Sequence, residues 1–438
     1  MTYRKIVVLS PPFYSHFHPM LTLARALHRA GAEVVVACSE AFAPEIEAAG
    51  LRFIPLDINR NANVGVAQQT QQAQEEKARL DAFFRATEDG PIATLMLQSR
   101  HRQADMLTDP DRLRREIAAI DASERSDLYL SDQLSYAVTL ALICLQLPFV
   151  TFCPGHPTYI PTGDQLFGVP YAWPREFDVS DADLAALRSV AAETDRRFTA
   201  IFNRVIAAHA PGVDPVDSAF RVASPIARLF RYPDFGDLHQ GAGGSESIFM
   251  GYSFEPEALP TSWSARLARP STEAPTILLT LGTLLSARAD VLGACIEALA
   301  RYDPDATIIV SAGANVDRLA SWRSERVIIE RFVPQKALLA EVDAVIHHGG
   351  NNSFTESLYH GTPMILMPFS SDQFAIAHDA QQHGLAEVLD PNALTDRGLH
   401  GRLDALFSAE RAATLRHWRQ HIRDRGPDYA AARLVSRG

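Results

Sequence analysis

The chain has 438 residues and a formal net charge of −11. This length exceeds what one hydrophobic core usually supports and favours two domains of about 200 residues each. The acidic balance argues against a nucleic-acid partner, because phosphate binding needs a concentration of Lys and Arg. The cysteines follow neither a metal-ligand spacing nor the density of a disulfide framework, so we expect reduced core thiols. They are Cys38, Cys144, Cys153 and Cys295.

The N-terminal sequence leads directly into an apolar run at residues 5–10, without the charged, apolar and small-residue zones of a signal peptide. The longest apolar stretch, residues 137–152, is interrupted by Gln146 and Pro148. It falls short of the roughly 20 residues that a spanning helix needs. These features predict a cytoplasmic protein without a transmembrane segment.

In the first half of the chain, apolar runs of strand length alternate with helical patterns. This alternation is typical of a parallel sheet covered by helices. The runs lie at residues 5–10, 33–39, 51–56, 127–131 and 147–152. After the first run, Pro19 suits the first turn of a helix and Gly31 suits its end.

The segment 233–247 contains Gly-Ala-Gly-Gly-Ser and is the best break in the chain. We therefore predict an α/β protein with domains at 1–236 and 248–415 and a linker at 237–247. The final segment, 416–438, is helical in pattern, and its return to the first domain is one alternative. Strand-length runs restart after the break at residues 247–251, 276–281, 306–311, 326–331, 344–347 and 364–368.

Two stretches of the first half depart from this rhythm. Residues 59–115 are rich in polar side chains, and residues 154–174 carry five prolines among aromatic residues. The stretch 154–174 lies just past a strand end and could line an apolar small-molecule pocket. An ordinary packed surface loop is an equal alternative. The candidate acceptor-binding residues are Phe13, Tyr159, Phe167, Tyr171 and Trp173.

Residues 344–358 read as a strand, then small residues, then a helix. A helix start presents unpaired backbone N–H groups and the positive end of the helix dipole, which suits a diphosphate. Ser353 and Glu356 also have the spacing of a capping box, so plain helix capping is the alternative for these two residues.

A longer pattern of residues, from Phe332 to Gln373, decides between a diphosphate site and plain helix capping at this helix start. It resembles the nucleotide-sugar signature of family 1 glycosyltransferases, which include plant secondary-product glucosyltransferases and bacterial antibiotic and carotenoid glycosyltransferases. The resemblance implies the GT-B fold, in which two Rossmann-like domains with parallel sheets face each other across a cleft. The matching positions are Phe332, Val333, Pro334, Gln335, His348, Gly350, Asn352, Ser353, Glu356, Gly361, Pro363, Pro368, Asp372 and Gln373.

The resemblance also implies a role for each donor-site residue. Phe332 stands where plant members have a Trp that stacks on uracil, and Gln335 lies near base and ribose. His348 would contact the diphosphate, Glu356 the ribose hydroxyls, and Asp372 with Gln373 the transferred sugar. The full predicted donor site is Gly282, Thr283, Phe332, Val333, Gln335, His348, Gly350, Asn351, Asn352, Ser353, Glu356, Asp372 and Gln373.

The catalytic prediction concerns the first domain. His16 and Pro19 resemble the family's catalytic His-x-x-Pro, and Asp132 matches the position whose carboxylate orients the histidine. His18 is the nearby alternative base. Capping or packing is the alternative role for His16, and helix capping is the alternative role for Asp132. The resemblance implies that the base deprotonates the acceptor and that the anomeric configuration inverts.

Three Asp-x-Asp strings could suggest a manganese-dependent glycosyltransferase of another fold. They begin at Asp109, Asp181 and Asp303, in turn or helix-start contexts, so we predict no metal and no cofactor beyond the sugar donor.

The predicted function is transfer of a hexosyl group, with glucose favoured, from a UDP-sugar to a hydroxyl of a small lipophilic natural product. A TDP-sugar donor and a non-catalytic module of the same fold are alternatives, since Phe in place of Trp leaves the base open. An epimerase or phosphorylase fits the combined motifs poorly, and the absence of Gly-x-Gly-x-x-Gly argues against a dehydrogenase. Acceptor identity and oligomeric state stay open.

Overall fold

The computed structural model describes residues 3–58, 74–236, 245–267 and 274–436. Their strands form two fully parallel sheets, and helices connect the strands. The strands of the first sheet are β1 Lys5–Leu9, β2 Glu33–Cys38, β3 Arg52–Pro55, β4 Leu128–Asp132, β5 Phe149–Cys153, β6 Ala227–Phe230 and β7 Glu246–Phe249. Those of the second sheet are β8 Thr276–Thr280, β9 Thr307–Ser311, β10 Val327–Glu330, β11 Ala344–His347, β12 Met364–Leu366 and β13 Ala386–Val388.

The helices of the first domain cover its sheet. They are α1 Tyr14–Arg29, α2 Ala43–Ala48, α3 Gln74–Asp89, α4 Pro91–Met106, α5 Pro110–Glu124, α6 Tyr136–Cys144 and α7 Asp181–His209. The later helices are α8 Thr261–Ser264, α9 Gly282–Leu285, α10 Ala289–Tyr302, α11 Gln335–Leu338, α12 Asn351–His360, α13 Gln373–Gln382, α14 Asp396–Leu406, α15 Ala409–Arg423 and α16 Pro427–Val435.

The first sheet has the strand order β3-β2-β1-β4-β5-β6-β7. Its direction of winding reverses between β1 and β4, and open α/β sheets bind ligands at the carboxyl ends of the strands flanking such a point. Leu9 pairs with Ser131 across these two strands. The segments that follow β1 and β4 are therefore brought together, although more than 100 residues separate them.

The second sheet repeats this geometry with the order β10-β9-β8-β11-β12-β13. Here the reversal lies between β8 and β11, where Thr280 pairs with His347. The turn after β8 and the loop after β11 meet for the same reason. Buried apolar side chains cover both faces of the central strands, as expected for parallel sheets between helices.

One boundary differs from the sequence prediction, and the C-terminal segment follows the alternative in which it returns to the first domain. Residues 247–251 were expected to open the second sheet, but β7 pairs with β6 and completes the first sheet. Most of the predicted linker, residues 237–244, lies outside the described residues. At the C-terminus, α16 packs against α1, and its Ala430, Ala431 and Leu434 belong to the core of the first domain.

In the sequence, the polar stretch 59–115 departs from the rhythm of strands and helices. Its described part, together with the residues that follow, forms α3, α4 and α5. The first helix also differs, because α1 begins at Tyr14 and Pro19 lies in its second turn. The sequence analysis missed β6 and β13. Among the described residues, no helix combines the length and the apolar composition needed to cross a bilayer.

Candidate active site

His16 and Asp132 form a hydrogen-bonded pair at the carboxyl edge of the first sheet. The Nδ1 atom of His16 lies 2.8 Å from Oδ2 of Asp132. The second carboxylate oxygen, Oδ1, accepts the backbone N–H of Leu134 at 2.8 Å, which fixes the carboxylate. Asp132 is fully buried, whereas the side chain of His16 is 19% exposed. An ionised carboxylate can only accept hydrogen bonds, so Nδ1 of His16 donates and Nε2 is left free to accept a proton.

The structure distinguishes this histidine from its neighbour. His18 is half exposed, and its Nε2 atom lies 2.9 Å from Oε2 of Glu45 on the surface of the first domain. Of these two histidines, only His16 therefore has a buried carboxylate as its partner.

The position of Pro19 connects α1 with the other domain. A proline has no N–H, so the carbonyl of Ser15, four residues earlier, receives no helical hydrogen bond from it. The Nδ2 atom of Asn352 lies 3.5 Å from that carbonyl oxygen. Because Ser15 precedes His16, this contact places the catalytic pair beside the start of α12.

The start of α12 carries no side-chain cap. Gly350 occupies the N-cap position, the first turn contains no acidic residue, and the first helical hydrogen bond runs from Phe354 N to Gly350 O. The capping-box interpretation of Ser353 and Glu356 is therefore wrong, since Ser353 lies inside the first turn. The backbone N–H groups of that turn are left for an anion.

His348 is held between two glycines next to this turn. A Cβ at Gly282 would lie 2.7 Å from the imidazole Cε1, and one at Gly350 would lie 2.3 Å from Nε2. Burial lowers the pKa of His348 to about 4, so the ring is neutral at pH 7. Gly282 has φ +72°, a conformation that suits glycine. The side chain of Thr283 lies outside the described residues.

Gln335, Ser353 and Glu356 form one hydrogen-bonded group. The Nε2 atom of Gln335 donates to Oγ of Ser353 at 3.1 Å and to Oε2 of Glu356 at 2.7 Å. Burial raises the pKa of Glu356 to about 6, although the hydrogen bond from Gln335 opposes this shift. Nearby, Val333 is partly buried against the core, and Phe332 is 55% exposed.

Asp372 and Gln373 lie at the entry to α13 and have different contacts. Oδ2 of Asp372 accepts the backbone N–H of His156, from the first domain, at 2.9 Å. Oε1 of Gln373 accepts the backbone N–H groups of Phe369 and Ser370 at 2.9 and 3.1 Å. Gln373 therefore shapes the loop after β12, and Asp372 lies at the domain boundary.

Comparisons with known proteins agree with this arrangement. The model of the family described as UDP-glucoronosyl and UDP-glucosyl transferase matches residues 257–416, a range that contains His348, α12 and Asp372. Residues 257–416 of the chain are therefore similar to this family, and the match spans less than half of the chain.

Two curated relatives and one solved structure illustrate the similarity. Demethyllactenocin mycarosyltransferase of Streptomyces fradiae is 26% identical over 54% of this chain, and the aligned part spans 50% of that relative. Zeaxanthin glucosyltransferase of Pantoea ananas is 25% identical over 86% of this chain and 83% of that protein. The crystal structure of glycosyltransferase VinC in complex with DTDP aligns with a TM-score of 0.65, at 21% identity, over 99% of this chain and 100% of that one. This alignment confirms the predicted GT-B fold.

The proline-rich loop packs partly in the first domain and partly against α13. Phe167 is buried and stacks on Phe220 in the core of the first domain. Tyr171, which is 38% exposed, donates a hydrogen bond to Asp379, and Trp173 packs on Phe374; both partners lie in α13. Phe167 is therefore a core residue, and the other two lie at the domain boundary, where acceptor binding stays a prediction.

The other two predicted acceptor-binding residues are Tyr159 and Phe13. The ring of Tyr159 packs at 5.4 Å from that of Phe167, and its carbonyl accepts a hydrogen bond from Gln133. Phe13 is the N-cap residue of α1, and its ring centroid lies 6.1 Å from that of His16. Of the five candidates, Phe13 is the one whose ring contacts His16.

The Asp-x-Asp strings lie at helix ends and turns, as the sequence predicts. Asp109 caps α5, Asp181 and Asp183 lie in the first turn of α7, and Oδ1 of Asp303 accepts the backbone N–H of Asp305.

The sequence analysis missed Arg231, which follows β6. Its Nε and Nη2 atoms donate to the carbonyl of Pro154 at 3.2 and 2.7 Å, and Nη1 donates to Oδ1 of Asn352. Nδ2 of Asn351 donates to the carbonyls of Pro154 and Arg231, each at 2.7 Å. No motif marks this arginine, because its position depends on the pairing of β5 with β6.

Proposed function

We propose that the protein is an inverting glycosyltransferase that moves a hexosyl group from a nucleotide-sugar to a hydroxyl of a small lipophilic acceptor. The observation that carries the proposal is the buried Asp132 hydrogen-bonded to His16, placed beside the uncapped start of α12. One side of the cleft thus offers a base, and the other offers donors for a diphosphate.

The proposed reaction has one displacement step. Nε2 of His16 takes the acceptor proton while the acceptor oxygen attacks the anomeric carbon. Asp132 stabilises the imidazolium that forms, as in Ser-His-Asp systems. The bond from the anomeric carbon to the diphosphate oxygen breaks on the opposite face, so the configuration inverts.

The leaving diphosphate gains charge in this step, and the chain supplies neutral and helical donors for it. The backbone N–H groups at the uncapped start of α12 and the neutral imidazole of His348 are the proposed donors to that charge. Fixed donors of this kind support the proposal that transfer proceeds without a metal ion.

The donor proposal is a UDP-hexose. The exposed ring of Phe332 supports stacking on a base, and the carboxylate of Glu356 supports hydrogen bonds from ribose hydroxyls. Oδ1 of Asp372 is the oxygen not used by His156, so it can accept from a sugar hydroxyl, which favours glucose over deoxygenated sugars. VinC binds DTDP, so a TDP-sugar is the alternative donor.

The acceptor proposal is a lipophilic natural product, supported by Phe13 beside His16 and by the names of the relatives, which act on zeaxanthin and demethyllactenocin. The test is a matrix of UDP-glucose, UDP-N-acetylglucosamine and TDP-glucose against carotenoid, polyketide and phenolic alcohols. Product mass and free nucleotide are measured with and without EDTA. We expect UDP-glucose to give an EDTA-resistant product with the β configuration. Nucleotide binding without turnover across the matrix would instead support the non-catalytic module.

A further inference from the structure

Arg231 carries a charge that the fold buries next to the predicted donor site, where the nearby carboxylates of Glu356, Asp372 and Asp132 favour this charge without forming an ion pair with it. The residue is 4% exposed, and no ion pair to it exists within the described parts of the chain. Its contacts are the carbonyl of Pro154 and the side-chain oxygen of Asn352. Burial lowers its pKa to about 10, so it stays protonated at neutral pH. A buried cation of this kind is costly unless an anion joins it.

The geometry of the guanidinium points to that anion. An arginine has five N–H groups in a planar fork, and three of them make the contacts just described. The remaining two belong to Nη1 and Nη2. Nη1 already reaches Asn352, in the uncapped first turn of α12. A phosphate bound to that turn would therefore have a second, charged donor on its other side.

We infer that Arg231 is a donor-binding residue: it contacts the diphosphate of the nucleotide-sugar from the first domain, opposite the N–H groups of α12. On donor binding, the diphosphate takes over hydrogen bonds that Nη1 makes to Asn352. This inference rests on the proposed function and adds a specific consequence. Since Arg231 and α12 belong to different domains, a diphosphate joins them, and donor binding favours the closed cleft.

The test separates phosphate recognition from general stability by comparing ligands. Dissociation constants of UDP and uridine are measured by calorimetry for the wild type, Arg231→Gln and Arg231→Lys. We expect Arg231→Gln to weaken UDP binding by roughly 10- to 100-fold while uridine binding stays within about twofold. Arg231→Lys keeps a charge without the fork, so its loss of UDP affinity should be smaller.

Arg228→Gln is the matched control. Arg228 lies in the same strand region and is also 4% exposed, but it donates to Ser247 in β7 rather than to a residue of α12. Its substitution should lower the melting temperature and leave the ratio of UDP to uridine affinity unchanged. If Arg231→Gln does not fold, the ratio for Arg231→Lys decides the question.

The two proposals fail in different ways. A wild-type protein that binds UDP no better than uridine would overturn the donor-site proposal itself. A wild type that prefers UDP, together with Arg231 variants that keep the full preference, would overturn the role of Arg231 alone.

Discussion

At the residue scale, the proposed base depends on a partner 116 positions away in the chain. The His-x-x-Pro spacing favours His16 over His18 in the sequence, and the buried carboxylate of Asp132 distinguishes them in the structure. Neutral His16 must carry its proton on Nδ1 to donate to this carboxylate, which leaves Nε2 able to accept a proton.

The first prediction concerns this pair. His16→Ala should lower kcat by roughly 10²- to 10⁴-fold, because proton removal from the acceptor is lost. The dissociation constant for UDP should stay within about twofold, since His16 makes none of the proposed contacts to the nucleotide. Steady-state kinetics and calorimetry check both parts, with His18→Ala as the matched control at near wild-type activity. Near wild-type kcat in His16→Ala would sink the mechanism.

The second prediction uses the titration of Glu356. Its pKa is raised to about 6 by burial, so the side chain loses its charge and one acceptor site as the pH falls below that value. Affinity for uridine, which has no phosphate to titrate, should therefore rise as the pH increases through about 6. Glu356→Gln should bind uridine more weakly at pH 7.5 and show no such rise. Ligand-detected NMR measures both, and the exposed Glu341→Gln serves as control.

The same shift has a consequence for stability. A carboxyl whose pKa is higher in the folded than in the unfolded protein costs stability once it ionises, between its ordinary value of 4.5 and about 6. The difference in unfolding free energy between Glu356→Gln and the wild type should therefore shift in favour of the variant from pH 4.5 to 6.5 and then level off. Urea denaturation across this range measures it, and a shift in the opposite direction would contradict the assigned burial.

At the scale of the element, the start of α12 works because it is uncapped and closely packed. Gly350 at its N-cap has an ordinary backbone conformation, φ −63°, so strain is not the reason for a glycine there. The reason is space, because a Cβ would lie 2.3 Å from Nε2 of His348.

The third prediction follows from that contact. Gly350→Ala should displace the His348 ring and weaken UDP binding by about tenfold, the loss of one good hydrogen bond. Gly401→Ala is the control, because a Cβ there meets no atom within 4 Å and α14 should gain up to about 1 kcal/mol from the change. Calorimetry and thermal unfolding measure the two effects. Unchanged UDP affinity in Gly350→Ala would show that the ring does not contact the diphosphate.

The region 74–124 shows why an element can be missed from composition. Its many polar residues hide the rhythm of strands and helices, yet Leu113, Ile117 and Ile120 recur at helical spacing and are buried on one face of α5. These three apolar residues among the fifteen of α5 suffice for a helix that packs on a sheet, because only one face of such a helix has to be buried.

At the scale of the whole molecule, the two domains share a buried polar contact that the sequence did not reveal. Asp379, in α13, is 3% exposed and accepts hydrogen bonds from His156, Tyr171 and Tyr232 of the first domain. The backbone N–H of His156 also holds Asp372, so this cluster connects domain contact with the proposed sugar site.

The fourth prediction tests this connection. Asp379→Ala removes the acceptor of the buried His156 and Tyr232 side chains and of the hydroxyl of the exposed Tyr171, and it should destabilise the protein by about 3–5 kcal/mol. It should also raise the KM for the sugar donor and increase the radius of gyration measured by X-ray scattering. Asp428→Ala, which removes an exposed pair with Arg29, should cost less than about 1 kcal/mol and leave both unchanged. An Asp379→Ala protein with wild-type stability and KM would show that the cluster does not hold the domains.

The sequence by itself determined the fold class and the donor-site pattern. Both depend on local order: strand-length apolar runs alternate with helices, and the motif from Phe332 to Gln373 folds within one strand-helix-strand unit whose neighbours are close in the chain. It also predicted the pairing of His16 with Asp132, but only through resemblance to a family.

Tertiary structure alone decided the contacts that cross between strands and domains. The pairing of β5 with β6 brings Arg231 to α12, and the pairing of β6 with β7 assigns residues 246–249 to the first sheet. Aromatic residues of the proline-rich loop pack into the core and the domain boundary for the same reason. Such contacts depend on which distant surfaces bury each other, and no local pattern of residue types encodes that choice.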